Sequence, residues 1–352
     1  MLTALPLISR VLNKITSAPT FMQVSEKSWT LDPGCESVAP PAIFHEDELS
    51  RVIGYGGDST REWEWRRIHG GKTVHGATRA YLITEAQLLR GHVFKGRMMH
   101  RVADWPLPLL AEVPSLEIES AALASTQYGV RFFGHWLIDD LPLALACVRL
   151  AEAVTIEREM TPHQRGYMSK LCIDVRPLVN AHFRELIILD DVAQNNFKRQ
   201  RLQEIRRRLA EPADRPATRG VMLLRGTSGA RRTLLNESAI AKELSSNGFR
   251  VVDPQSSSAD QVIDACRGAK IVIGVEGSQL SHGLLGVVDG GAMVVLQPPF
   301  HFSNAHKDCC DCLGFAYGFV VGRPMADGFI IEPREVLRII EKVERALHIA
   351  GV

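Results

Sequence analysis

The sequence predicts an α/β protein whose second half is an open parallel sheet, and three observations carry that expectation. Lys270–Val275 is a short β-branched run suited to a strand buried on both faces, followed by the small polar bend Glu276-Gly277-Ser278-Gln279. Leu280–Leu285 then reads as a helix that Gly286 can end, and Ala292–Leu296 as the next parallel strand, which makes a βαβ unit. The rhythm extends upstream. Val221–Leu224 is a strand, Asn236 can cap a helix through Leu244 that Gly248 ends, and Phe249–Val252 is a strand. Ser258 and Gln261 have the spacing of a capping box for a helix running to about Arg267. Finally, 352 residues exceed one typical domain, so two are expected.

The first half is less regular. Residues 1–45 are rich in Pro and Ser and poorly periodic, and read as a lead-in arm with a strand or two. Between Glu46 and Arg101 short apolar runs alternate with Gly-rich turns, and Ala80–Ile83 and Gly91–Phe94 read as strands of a β-rich edge. FFGHWLIDDLPLALACVRL, residues 132–150, reads as a helix that Pro142 kinks or restarts. Glu185–Leu189 is a strand ended by Asp190-Asp191, and a helix rich in Arg and Gln runs from there to about Leu209. Its basic run, Lys198, Arg199, Arg201 and Arg206–Arg208, reads as a solvated face. Residues 211–220, with two prolines, a glycine and several charges, are the best linker. The domains are then 1–210, with 1–45 as the arm, and 221–330, followed by a C-terminal helix within 331–352.

Composition excludes several classes of function. A net charge of +1 speaks against a nucleic-acid binder, and no run approaches the length of a membrane span. Seven cysteines, an odd number lying mostly in apolar runs, fit reduced thiols; Cys309, Cys310 and Cys312 lack a second pair at zinc-ligand spacing. A soluble cytoplasmic protein able to visit a membrane surface is expected. There is no G-x-G-x-x-G after a strand, no P-loop, and no complete nucleophile elbow at Ser281, because position 279 is Gln. No Asp-x-Asp stands at a strand end to hold a divalent metal.

What remains is an anion site at the carboxyl edge of the second sheet, where open α/β sheets bind ligands. Arg225, Arg231 and Arg232, with Asn236 and Glu237, follow its first strand, and guanidinium forks suit a diphosphate. The Glu276 bend opens onto the same edge. In the first half, His135 and Asp139 stand four apart, one helical turn. They read either as a general base with its orienting carboxylate, or as a histidine at a core wall beside a capping aspartate.

Three blocks resemble glycosyltransferase family 61: FFGHWLIDDLP at 132–142, LLRGTSGARRTLLNE at 223–237 and IVIGVEGSQLSHGLL at 271–285. With their order and spacing, the resemblance covers roughly residues 75–300. The family includes bacterial capsular-polysaccharide enzymes and eukaryotic O-GlcNAc and xylan-decorating transferases. The resemblance implies a GT-B-like enzyme: two Rossmann-like domains with a cleft between them, acceptor on the first, nucleotide-sugar donor on the second. It implies an inverting, metal-independent displacement with no cofactor beyond the nucleotide-sugar. A cell-surface glycan, free or lipid-linked, would be the acceptor, at the inner face of the cytoplasmic membrane. Donor contacts would fall to Arg225, Arg231, Arg232, Asn236, Glu237, Gly277, Ser278, Gln279 and His282. Asp139 would be the base with His135 positioning substrate; the reverse assignment and Glu276 stay open. The third block departs from the commoner family pattern, since Glu276 stands where a His is usual and Ser278-Gln279 where Ala-Gly is usual. That departure keeps a catalytically inactive glycan- or nucleotide-binding scaffold as the alternative. The C-terminal helix from Pro333 to Leu347 is expected to pack back across the first domain, as GT-B chains often do.

Overall fold

A computed structural model describes residues 2–57, 59–210, 217–226 and 232–349. The chain is mixed α/β and divides into two units, Met1–Cys35 with Gly76–Arg201, and Glu36–His75 with Leu202–Val352.

The first unit is built on an eight-stranded mixed sheet. Its strands are β1 (Lys27–Asp32), β2 (Thr78–Leu89), β3 (His92–Lys95), β4 (Met98–Arg101), β5 (Glu117–Leu123), β6 (Glu152–Ile156), β7 (Arg176–Leu178) and β8 (Asn180–Asp190). The order is β7-β6-β5-β8-β2-β3-β4, with β1 also on β2. β5 to β8 run parallel, and β8 pairs antiparallel with β2 from Asn180–Leu89 to Asp190–Arg79. Ile83, Leu88, Ile118, Val154, Phe183 and Leu186 form its core. The expected strands at Ala80–Ile83 and Gly91–Phe94 fall on β2 and β3, with Gly91 in the turn at φ +77°.

Three local expectations need refinement. The arm contains an eleven-residue helix, Leu5–Ile15, besides its strands. No side chain caps its start, and Leu7, Ile8 and Val11 are exposed. Of the two readings of residues 132–150, the structure takes the restart at Pro142 and not the kink. A turn at Phe133–His135 and a π-helical turn at Trp136–Asp140 precede α2 (Leu141–Cys147), after α1 (Gln127–Arg131). Pro142 sits in the first turn of α2, where no intrahelical N–H is required of it. α3 (Pro162–Leu171) opens with a capping box at Thr161 and Gln164. In α4 (Asn196–Ala210) the basic run divides: Arg199, Arg207 and Arg208 are exposed as expected, whereas Lys198 and Arg201 are each 1% exposed.

The second unit is a doubly wound sheet. Its strands β9 (Thr218–Leu223), β10 (Phe249–Val252), β11 (Ala269–Val275), β12 (Ala292–Gln297) and β13 (Ala316–Val321) are all parallel, in the order β10-β9-β11-β12-β13. Between and after them come α5 (Glu237–Ser246), α6 (Ala259–Cys266), α7 (Ser281–Gly286), α8 (Ala305–Leu313) and α9 (Pro333–Ile349). Ile240 and Leu244 of α5 and Val336, Ile339, Ile340 and Val343 of α9 cover one sheet face, against Ile271, Ile273, Val294 and Val320. α7 lies on the other face. A Cβ added at Gly283 would fall 2.6–2.8 Å from the side chain of Val272, so glycine is what lets the helix approach. α9 spends its apolar face on the sheet of its own unit, and its polar side holds residues 44–51 of that unit: Lys342 Nζ donates to the carbonyl of Phe44 at 2.7 Å, and Glu335 pairs with Arg51 at 2.8 Å.

Details of the rhythm follow their local chemistry. The Ser258–Gln261 capping box forms. Asn236 precedes α5 without a side-chain cap, because its amide bonds the backbone of Ile331, donating to the carbonyl at 2.8 Å and accepting from the N–H at 3.3 Å. β9 begins at Thr218, inside the expected linker, whose residues 211–216 lie outside the described ones. Residues 36–75 are bound into this unit by main-chain and carboxylate contacts. Ile43 bridges Tyr317 and Phe319 of β13. Glu48 accepts from the N–H of Val321 at 3.1 Å, and the fully buried Glu64 accepts from the N–H and side chain of Asn304 at 2.7 and 2.9 Å.

Gly283→Ala should destabilise the protein by about 1–3 kcal/mol despite its better helix propensity, because Val272 cannot retreat from a packed sheet. Gly76→Ala, where an added Cβ meets nothing within 4 Å, should stay within about 0.5 kcal/mol. Urea midpoints of the two variants check the contrast.

Candidate functional site

In an order that reads 2-1-3-4-5, chain connections diverge between the first and third strands, here β9 and β11, and a crevice opens at their carboxyl ends. Arg225 follows β9 and Glu276 follows β11. Arg225 is 7% exposed; its Nη1 donates to the carbonyl of Glu276 at 3.1 Å and to Gln279 Oε1 at 3.3 Å. Arg232 Nη1 donates to Glu276 Oε2, while its Nε, buried, has no hydrogen-bond partner among the described residues. His301 Nε2 lies 3.8 Å from the same carboxylate oxygen. Both guanidinium groups thus bind Glu276, Arg232 at its carboxylate and Arg225 at its main-chain carbonyl. Burial pushes Glu276 above the usual carboxylate range, opposed by Arg232 and Arg225. Burial also drives His301 down to about 4, reinforced by Arg232 and Arg225, so it is a neutral imidazole at pH 7.

The glycine of the bend is required by this packing. A Cβ at Gly277, at φ +155°, would stand 1.9 Å from Arg225 Nη1. Other expected donor residues are committed within the chain. Glu237 accepts from the N–H groups of Arg225 and Gly226 at 2.9 and 3.0 Å, so the chain's own carboxylate occupies the amides at the end of β9. Asn236 is bonded to Ile331, and His282 is 2% exposed on α7. Ser278 and Gln279 are half-buried beside the arginines. Arg231 lies outside the described residues.

The first unit has its own polar cluster. His135 Nδ1 lies 2.8 Å from Asp139 Oδ2, and Lys198 Nζ donates to Asp139 Oδ1 at 2.8 Å. Burial works to raise the Asp139 carboxyl, but Lys198 and His135 outweigh it and hold it at about 2. With Nδ1–H directed to a permanent carboxylate, Nε2 is the ring's basic nitrogen. The His135 side chain is 44% exposed, and Tyr128 (55%) and Phe132 (39%) flank it with ring centroids at 5.3 and 6.1 Å. Nearby, Asp191 receives both terminal nitrogens of Arg201, at 2.8 and 2.6 Å, and the hydroxyl of Thr78 at 3.1 Å.

Asp140 faces a different environment from Asp139. Its Oδ1 accepts from the N–H and hydroxyl of Thr126 at 3.0 and 2.7 Å. It helps line a cavity of about 180 Å³ with Trp136, Leu141, Ala144, Ile156 and Arg158. Burial raises its carboxyl to about 8 in spite of the Thr126 bonds. The turn 136–140 thus carries an ionised aspartate and, next to it, a protonated one.

Sequence reasoning missed Lys198, Asp140 and His301. For Lys198 the signal was present but misread, since a lysine in a basic run looks solvated until a buried carboxylate is placed opposite it. His301 follows Pro298-Pro299-Phe300 at the end of β12, the next strand along the same edge. That adjacency of loops was the available clue. Cys309, Cys310 and Cys312 are buried free thiols on α8.

A family model described as Glycosyltransferase 61 matches residues 133–293, just under half of the chain. No curated protein matches. Among solved structures, the chain is similar to a "Metal soaked Flv1 flavodiiron core from Synechocystis sp. PCC6803", at 12% identity and a TM-score of 0.26. The similarity covers 77% of this chain and 64% of that one, too weak a likeness to argue from.

Lys198→Met should cost on the order of 3 kcal/mol, since it strands a partly buried carboxylate, and denaturant unfolding measures it. Asp140 supplies a pH signature. Folded, it keeps its proton to about pH 8; unfolded, it releases it near 3.8. The folded state therefore binds more protons between those values, and its contribution to stability falls as pH rises through them. Asp140→Asn should match the parent near pH 4 and exceed it in urea midpoint at pH 8; equal midpoints at pH 8 would refute the buried, protonated carboxyl.

Proposed function

We propose that this chain is a glycosyltransferase of family 61 type, moving a sugar from a nucleotide-sugar donor to a glycan hydroxyl. The observation that carries the reading is the family match over 133–293, because that stretch contains both polar clusters, His135–Asp139–Lys198 and Arg225–Arg232–Glu276. The architecture belonging to this reading is GT-B-like, with donor groups on the second unit and acceptor groups on the first. A capsular or exopolysaccharide chain, free or lipid-linked, is the acceptor that fits the bacterial members of the resemblance, with the reaction at the cytoplasmic side.

In a single inverting displacement the acceptor oxygen bonds to the anomeric carbon as the bond to the diphosphate breaks. The hydroxyl proton goes to a base, and the leaving diphosphate takes the electron pair. His135 suits the base better than Asp139 does. Asp139 has both oxygens engaged and a pKa of about 2, so it holds a proton poorly. As the fixed anion on Nδ1 it orients the ring and stabilises the imidazolium that forms. Tyr128 and Phe132 offer exposed ring faces on which the apolar face of a sugar can stack beside that nitrogen.

On the donor side, Arg225 and Arg232 supply preorganised positive charge for the diphosphate at the crevice between β9 and β11. Glu276, between them, is a holder of arginines in this scheme and not a base. A diphosphate that draws Arg232 away leaves a buried carboxylate whose raised pKa favours taking up a proton. Where a histidine is usual in this block, the carboxylate thus sets how readily Arg232 is released to the donor.

His135→Gln should lower kcat by about 10²–10⁴-fold with little change in donor affinity, and Arg232→Ala should abolish donor binding with the fold intact. Tyr128→Ala should raise the acceptor KM and spare donor hydrolysis. Thermal-shift screening against nucleotide-sugars, with and without EDTA, followed by turnover assays, reads all three. Undiminished turnover in His135→Gln would remove it as the base, and a flat donor panel would sink the transferase reading.

A further inference from the structure

Eight of the twenty large apolar side chains exposed on the described residues gather in one corner of the first unit: Leu2, Leu7, Ile8 and Val11 on one segment, and Trp105, Leu109, Leu110 and Val113 on another. Two contacts tie the segments together. Leu2 and Thr3 pair antiparallel with Glu112 and Ala111, and Arg10 Nη2 donates to the carbonyl of Leu107 at 2.6 Å. Beneath them Leu107 and Ala111 pack with Leu89 and Phe94, and Leu5 joins that cluster.

The helix Leu5–Ile15 is turned outside in. Pro6 and Ser9 are its buried residues, and Ser9 is completely buried, accepting from Asn13 Nδ2 at 3.0 Å. Leu7, Ile8 and Val11 are 38%, 47% and 49% exposed. A helix that hides serine and shows isoleucine is arranged for an apolar surface outside the chain. The charges choose which. The helix carries Arg10 and Lys14 and no acid; across the strand pair the acid is Glu112, and Asp104, beside Trp105, is taken up by Arg101 and Gln127. Eleven residues rise about 16 Å, roughly half of a bilayer's hydrocarbon core, so this helix can lie in a membrane but cannot cross one. No helix of the described residues is long and apolar enough to span a membrane. A short basic helix with its apolar side outward and a tryptophan at the rim matches the chemistry of the headgroup–acyl boundary.

We propose that this corner is a docking surface for a bilayer bearing anionic lipids, with the helix lying in the interface plane and Leu7, Ile8, Val11, Leu109 and Leu110 entering the acyl region. The proposal does not rest on the transferase reading. It places the first unit against the membrane, where a lipid-linked acceptor would be met.

Co-sedimentation of the full chain with phosphatidylcholine vesicles, with and without phosphatidylglycerol, tests it directly. The chain should pellet with the anionic vesicles and be released by high salt. Ile8→Asp with Val11→Asp should cut the partition coefficient by at least about tenfold, with an unchanged thermal unfolding profile. Lys14→Glu should remove most of the preference for anionic over neutral vesicles. Retention in the supernatant with both vesicle types would overturn the proposal. So would a dimer, seen by light scattering without lipid, that the Ile8/Val11 double variant dissociates; that outcome assigns the face to a second copy. Loss of transferase activity with vesicle binding intact would leave the surface standing and the activity fallen.

Discussion

A lysine ammonium taken out of water must meet a carboxylate, and the polar centre of the first unit is arranged around that demand. Lys198, 1% exposed, reaches Asp139 at 2.8 Å. The pairing keeps Asp139 ionised, which fixes His135 in one tautomer and orientation and leaves Nε2 outward. Remove the lysine and the chain of consequences ends at the imidazole. The π-helical turn at Trp136–Asp140 carries both residues, with Asp139 facing a cation and Asp140 lining a cavity. Adjacent identical side chains thus hold opposite protonation states at neutral pH.

The second unit solves the same problem in reverse. Here the carboxylate is the deeply buried partner: Arg232 pairs with it, and Arg225 donates to the main-chain carbonyl of the same residue, where the sheet connections diverge. The bend tolerates no side chain at Gly277 because Arg225 fills that space. Arg232 is held by this carboxylate as its ion-pair partner. The positive charge of the crevice is therefore held in check by the chain itself, and Glu237 closes off the amides beside it.

Much of this was legible in the sequence, and the parts that were not share a cause. β11, α7 and β12 were readable because β-branched runs, a glycine bend and a short apolar helix are all local signals, as is the Ser258–Gln261 box. Arg225, Arg232 and Glu276 were readable as one site, since strand ends of a parallel sheet share an edge. The bond between Lys198 and Asp139 spans 59 residues, and Asn236 was claimed as a cap although its amide serves Ile331, 95 residues away. Such partners are set by tertiary packing, which no window of sequence contains. The helix Leu5–Ile15 was legible but overlooked: Leu5, Ile8, Leu12 and Ile15 stand at helical spacing with Pro6 in its first turn, and only the exposure of its apolar face depends on tertiary structure.

The grouping of Glu36–His75 with Leu202–Val352 has a consequence for how the protein is made. On a ribosome the first unit is complete in sequence once Arg201 has emerged, and it can close around β2 and β8 at that point. Residues 36–75 leave the tunnel early but have nothing to bind until β12 and β13 follow. At about 5–20 residues per second they wait on the order of ten seconds, with Glu48 and Glu64 still in water and unpaired with Val321 and Asn304. Burial of those two carboxylates against the N–H groups of Val321 and Asn304 would mark the end of assembly.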